Sequence, residues 1–228
     1  MATEALLGEA FTDCGFDVST FTVVPAERVE APAHDVTFPD PTGYDVIVPL
    51  GARWPVYDEA LRATWVGTQM QFLRDAADAG VALLGVCFGG QMLAQTFGGS
   101  VSRSPAPEIG WYDIVTDRPD LVPPGPWFQW HFDRWTLPPG AVEIARTANA
   151  SQAFVLGRIL ALQFHPELDH RLLAGWLAGD HDGEVAGFGR SHDELIAQTA
   201  ELEADVRPRI HDLVRGFLTY VSAAPCPS

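Results

Sequence analysis

The feature that most narrows what this chain can become is the stretch from Val81 to Phe97. An unbroken apolar run, Val81 to Val86, meets a helical pattern, Met92 to Phe97, across Cys87-Phe88-Gly89-Gly90-Gln91, with no room for a loop. A run of this kind reads as a strand buried on both faces, and a strand passing directly into a helix belongs to a parallel sheet covered by helices. Gly85-Val86-Cys87-Phe88-Gly89 also places a cysteine between two small residues. Such flanks let the backbone bend so sharply that the central side chain stands out at the strand end as a nucleophile. The same turn sets Cys87 at a helix N-terminus, where unpaired N–H groups and the positive end of the dipole favour a thiolate.

A cysteine of ordinary acidity is only slightly ionised at neutral pH, so a nucleophilic Cys87 needs a base. His165 ends a second apolar run, Ile159 to Phe164, and is expected at the same sheet edge. Glu167 lies two residues on, with Pro166 stiffening the turn between them. There its carboxylate can accept the imidazole N–H and fix the tautomer, as the third member of a triad does. Gly51 follows another strand-like run, and its backbone N–H together with that of Phe88 makes a candidate oxyanion hole.

The rest of the chain sets the frame. At 228 residues, 47% of them hydrophobic and 19% charged, it suits one globular α/β domain over residues 1–228, with residues 190–222 as a C-terminal helical extension. A formal charge of −16, from 14 basic and 30 acidic residues, repels phosphate backbones and anionic lipid, so neither nucleic acid nor membrane is an expected partner. No apolar run of membrane-spanning length and no secretion signal is evident, and a cytoplasmic location is expected. Cys14, Cys87 and Cys226 are widely spaced and odd in number, which makes neither a disulfide framework nor a zinc pattern. His131 and Asp133 are two possible ligands without a third, so no metal or other cofactor is expected.

Leu6, Leu7, Ala10, Phe11 and Cys14 recur at helical spacing up to Gly15, and Phe16 to Val24 then reads as a strand. Pro25 to Pro41 reads as a surface loop, Tyr44 to Pro49 as a short strand, and Trp65 to Ala79 as a helix closed by Gly80. Beyond Phe97, short strands at Ile114-Val115, Val142 to Ala145, Phe154 to Leu156 and Ile159 to Phe164 imply an antiparallel extension of the sheet. Leu168 to Ala178 returns to helix, Gly179 to Gly189 reads as a loop, and Asp193 to Val221 as one or two closing helices. Cys14 is expected in the core and Cys226 in an exposed tail; His34, His170, His181, His192 and His211 are expected at the surface.

Gly85-Val86-Cys87-Phe88-Gly89-Gly90-Gln91 resembles the nucleophile motif of class I glutamine amidotransferases, and Gln163-Phe164-His165-Pro166-Glu167 resembles their His-Pro-Glu motif. Glu108-Ile109-Gly110-Trp111, Trp130-His131-Phe132-Asp133 and Ser151-Gln152-Ala153-Phe154 are similar to stretches of stand-alone members related to the amidotransferase domain of GMP synthase. The resemblance implies a flavodoxin-like three-layer sandwich and a Cys87–His165–Glu167 triad that splits the side-chain amide of glutamine through a γ-glutamyl thioester. It further implies that Gln91, Trp130, His131 and Phe132 border the substrate, and that a separate synthetase takes the ammonia. His131 is equally readable as a hydrogen-bonded histidine in an aromatic strand.

The chain departs from the family pattern twice. Relatives usually open with a central strand, whereas this chain opens in the helix that follows, so the sheet is expected to lack that strand or to receive it from upstream of Met1. The oxyanion segment usually reads Pro-Gly-Gly, and here it is Pro49-Leu50-Gly51-Ala52-Arg53. Two other activities therefore stay open: hydrolysis of γ-glutamyl peptides or conjugates by the same triad, and a non-catalytic subunit that retains a glutamine pocket.

Overall fold

The computed structural model describes residues 5–180 and 183–224. Seven strands form one sheet in the order β1-β2-β7-β6-β5-β3-β4. They are β1 (Val46–Ile47), β2 (Ala82–Val86), β3 (Ser100–Thr116), β4 (Gly125–Thr136), β5 (Val142–Arg146), β6 (Ser151–Leu156) and β7 (Ile159–Leu162). β1, β2 and β7 pair in parallel, and the remaining strands continue outward from β7 antiparallel. The architecture is α/β, with a parallel part that holds the Cys87 turn and a longer antiparallel extension.

The apolar runs of β2 and β7 are buried on both faces because helices cover both. Ala82, Leu84 and Val86, with Leu160 and Leu162, face a core shared with α1 (Ala5–Asp13), α5 (His170–Leu177) and α7 (His192–Ala223). Leu83, Ile159 and Ala161 face the opposite core, built with α2 (Glu59–Arg62), α3 (Trp65–Asp78) and α4 (Phe88–Thr96). Truncating one such leucine to alanine removes about 2–5 kcal/mol of stability.

Gly15 and Gly80 end α1 and α3 with φ of 91° and 81°, as their positions predict. α7 is one helix through Pro208: the missing N–H costs about 3 kcal/mol, and the buried Val206, Ile210 and Leu213 on both sides of the proline hold the helix in register. A capping box at Ser191 and Glu194 fixes its start.

Five expectations change. Phe16 to Val24 forms no strand: among the described residues the sheet ends at β1 with no further strand beyond it to pair with this segment, whose Val18 and Phe21 stay exposed. Tyr44 to Pro49 contracts to the two residues of β1, and among the described residues no strand precedes α1. The strand expected at Ile114-Val115 is the tail of the 17-residue β3, which pairs with β4 in a long hairpin. Within Gly179 to Gly189 one short helix forms, α6 (Glu184–Gly187). Cys14 is only partly buried, and His181 and Cys226 lie outside the described residues. Among the described residues, no helix is long and apolar enough to cross a membrane.

Candidate active site

Cys87 sits between β2 and α4 with φ of 50°, a positive value that a non-glycine residue adopts only under constraint. The constraint is visible on both sides. Val86 N–H donates to the Pro49 carbonyl at 2.9 Å and Cys87 N–H to that of Leu162 at 2.8 Å, so the turn is tied to the segment after β1 and to β7. The glycines are needed for space. A methyl group at Gly89 would fall 1.9 Å from the Pro49 carbonyl oxygen, and one at Gly90 would fall 2.6 Å from that of Leu162. Any larger residue forces the helix away from the sheet and moves Cys87 with it.

His165 follows β7 and is held by its backbone N–H on the Phe128 carbonyl of β4, at 2.9 Å. Its Nδ1 lies 2.8 Å from Oε1 of the fully buried Glu167. Burial alone pushes this imidazole down, but the carboxylate of Glu167 and the sulfur of Cys87 outweigh it and raise the group from 6.5 to about 10. Trp176 of α5 stands edge-on to the His165 ring at 4.8 Å and fixes its plane. At Gly51 an added methyl group would lie 3.0 Å from Cε1 of His165 and 3.7 Å from Cβ of Cys87. The structure thus brings Cys87, His165, Glu167 and Gly51 together, and Phe88 opens α4, where its N–H is free of helical pairing by position.

The remaining predicted site residues divide. Trp130 stays at the site: its carbonyl lies 3.8 Å from Cys87 Sγ, and its indole donates to Glu184 Oε2 at 2.9 Å. Phe132 packs edge-on against Phe188 and beneath the Arg103 guanidinium. Gln91 is buried, and its amide nitrogen donates within the protein to the Asp133 carbonyl and to Gln163 Oε1, each at 3.3 Å. His131 is buried with both ring nitrogens engaged, Nδ1 on the Asp133 carbonyl and Nε2 on Glu108 Oε2, each at 3.0 Å. Among the described residues, no three His, Cys, Asp or Glu side chains gather as a metal site.

The family model for glutamine amidotransferase class-I matches residues 20–175, more than half of the chain. The chain belongs to that family. Among curated proteins, this amidotransferase is 37% identical to a glutamine-hydrolysing GMP synthase of Aeropyrum pernix over 43% of its own length and 22% of the relative. It is 36% identical to that of Thermomicrobium roseum over 48% of its own length and 22% of the relative. The amidotransferase spans about a fifth of the length of these relatives. Among solved structures, a glutamine amidotransferase of Thermotoga maritima superposes with a TM-score of 0.77 at 23% identity, covering 93% of this chain and 92% of the other. One from Methylobacillus flagellatus gives 0.79 at 21%, covering 99% and 92%. These likenesses establish the fold.

Three residues at or around the candidate site escaped the sequence reading. Gln163, quoted only as part of a motif, aims its amide nitrogen at Cys87 Sγ from 3.8 Å. Trp176 and Glu184 come from helical and loop segments whose patterns carry no chemical signal; only the folding of α5 and α6 against β4 brings them in.

Proposed function

We propose that this amidotransferase hydrolyses the side-chain amide of glutamine and hands the ammonia to a separate synthetase, with Cys87 as nucleophile, His165 as proton carrier and Glu167 as its orienting acid. The observation that carries the reading is the arrangement of His165: Nδ1 on the Glu167 carboxylate at 2.8 Å, with Glu167 and Cys87 together raising it to about 10. The imidazole therefore holds a proton at neutral pH, beside Cys87 and placed to give it up to a leaving group.

The thiolate adds to the amide carbon, a C–S bond forms, and the carbonyl oxygen takes the negative charge toward the N–H groups of Gly51 and Phe88. His165 then gives its proton to the leaving nitrogen as the C–N bond breaks, releasing ammonia and leaving the γ-glutamyl thioester. Water follows by the reverse proton traffic: the now neutral His165 removes its proton, the C–S bond breaks, and glutamate leaves with Cys87 again paired to the imidazolium. The relatives named as glutamine-hydrolysing GMP synthases support the choice of glutamine and of a synthetase as the destination of ammonia.

One observation favours the non-catalytic alternative: Cys87 is only 5% exposed. Glutamate release from glutamine and from γ-glutamyl peptides, measured on the wild type and on Cys87→Ala, separates the readings. Glutamine turnover in the wild type with a loss of at least about 10³-fold in Cys87→Ala is the expected result. Faster turnover of γ-glutamyl peptides assigns the triad to those substrates. Failure of Cys87 to react with a glutamine-mimicking electrophile, with no turnover of either class, overturns the catalytic reading.

A further inference from the structure

We infer that Gln163 is a catalytic residue of this site: its side-chain amide N–H holds the Cys87 thiolate, and a buried chain running through Gln91, the Asp133 carbonyl, His131 and Glu108 fixes the amide in that orientation. The inference rests on the reading of Cys87 as the nucleophile.

The orientation follows from which atoms can only accept. The Asp133 carbonyl has no proton to give, so the Gln91 atom 3.3 Å from it is the amide nitrogen. That same nitrogen meets Gln163 at 3.3 Å, so Gln163 turns its oxygen toward Gln91. Its nitrogen is thereby left facing Cys87 Sγ at 3.8 Å, within reach of an N–H to sulfur bond. With both amides buried, neither can flip without leaving a polar group unpaired.

The far end of the chain locks the near end. His131 Nδ1 also meets the Asp133 carbonyl, at 3.0 Å, and must therefore carry a proton. Its Nε2 meets Glu108 Oε2 at 3.0 Å, and that carboxylate already accepts from Gln152 Nε2 at 2.7 Å and from Asn149 Nδ2 at 3.2 Å. With both ring nitrogens engaged and both Glu108 oxygens filled, the ring cannot turn without breaking buried hydrogen bonds. The ring, held with its Nδ1–H on the Asp133 carbonyl, fixes the position of that oxygen. Gln91 and then Gln163 follow.

A donor aimed at a buried sulfur favours the charged form over the neutral thiol and holds the lone pair on the line of attack. The Trp130 carbonyl, 3.8 Å from Cys87 Sγ, can accept only from the neutral thiol. The titratable groups that face this assembly are His165 and Glu167 after β7, His131 and Asp133 on β4, Glu108 on β3, and Tyr57, whose hydroxyl donates to Asp133 Oδ1 at 3.1 Å. Arg103 adds its charge near Tyr57.

The test is the ultraviolet thiolate absorbance of Cys87 against pH in the full chain, taken as the difference between each protein and its Cys87→Ser counterpart. It is run on the wild type, Gln163→Met and Gln163→Glu. The methionine removes the donor at similar volume, and the glutamate turns an oxygen toward the sulfur. The expected result is a profile moved to alkaline pH by about one unit in Gln163→Met, a tenfold change in the ionisation equilibrium, and further in Gln163→Glu. Turnover of glutamine by Gln163→Met should fall in kcat with KM changed less than threefold. An unmoved profile in either folded variant overturns the inference. Should Gln163→Glu not fold, Gln163→Met decides alone. A moved profile in a protein whose wild type releases no glutamate leaves the role of Gln163 standing and removes the glutaminase reading instead.

Discussion

Two buried histidine–glutamate pairs lie in this amidotransferase, and they differ in what is left of each imidazole. His165 and Glu167 meet at 2.8 Å, and His131 and Glu108 meet at 3.0 Å; all four side chains are almost wholly buried. The first pair spans two residues and leaves the other ring nitrogen for Cys87. The second joins facing positions of β3 and β4, and both of its ring nitrogens are spent on acceptors. One histidine can pass its proton on; the other has nowhere to send it. Among the described residues, Glu167 Oε2 has no hydrogen-bond partner, whereas both Glu108 oxygens accept hydrogen bonds.

The largest expected effect of breaking this comparison is on rate. Glu167→Gln keeps the volume but removes the charge that selects the His165 tautomer. Steady-state glutaminase assays should show kcat lower by about 10³–10⁴-fold. Glu108→Ala should weigh on stability instead. It takes the shared acceptor from the buried His131 Nε2 and Gln152 Nε2, at about 1–3 kcal/mol for each group in denaturant unfolding, while kcat well below the new midpoint falls less than tenfold. Equal losses of rate and stability in both variants would erase the distinction.

The smallest effect is on pH dependence. A group raised from 6.5 to about 10 on folding adds stability that is fully present below pH 6.5 and lost as pH climbs toward 10. Unfolding free energy measured by denaturant at stepped pH should therefore slope downward across that interval. The slope should be shallower in Glu167→Gln, because the main group holding the proton on His165 is gone.

How much of this was legible in the sequence depends on the range of each interaction. The nucleophile turn was readable because its determinants lie within a few residues: an apolar run, flanking glycines, and a helix start. The nearness of Glu167 to His165 follows from a two-residue spacing across a proline. By contrast, Phe16 to Val24 has the composition of a strand, and composition does not say whether the sheet offers an edge to receive it. Gln91 and His131 read as substrate contacts from the residues around them, and the structure engages their polar groups inside the protein.

The sequence by itself determined the local steric facts: where the chain buries, where it turns, and which sulfur stands at the turn. Only the tertiary structure decided which polar groups face one another. Glu108, His131, Gln152, Gln91 and Gln163 meet through the β3–β4 register and the fall of β7 beside β2 and β6. Hydrogen bonds in a buried site depend on separations of a few tenths of an ångström, and those are set by packing across the whole sheet.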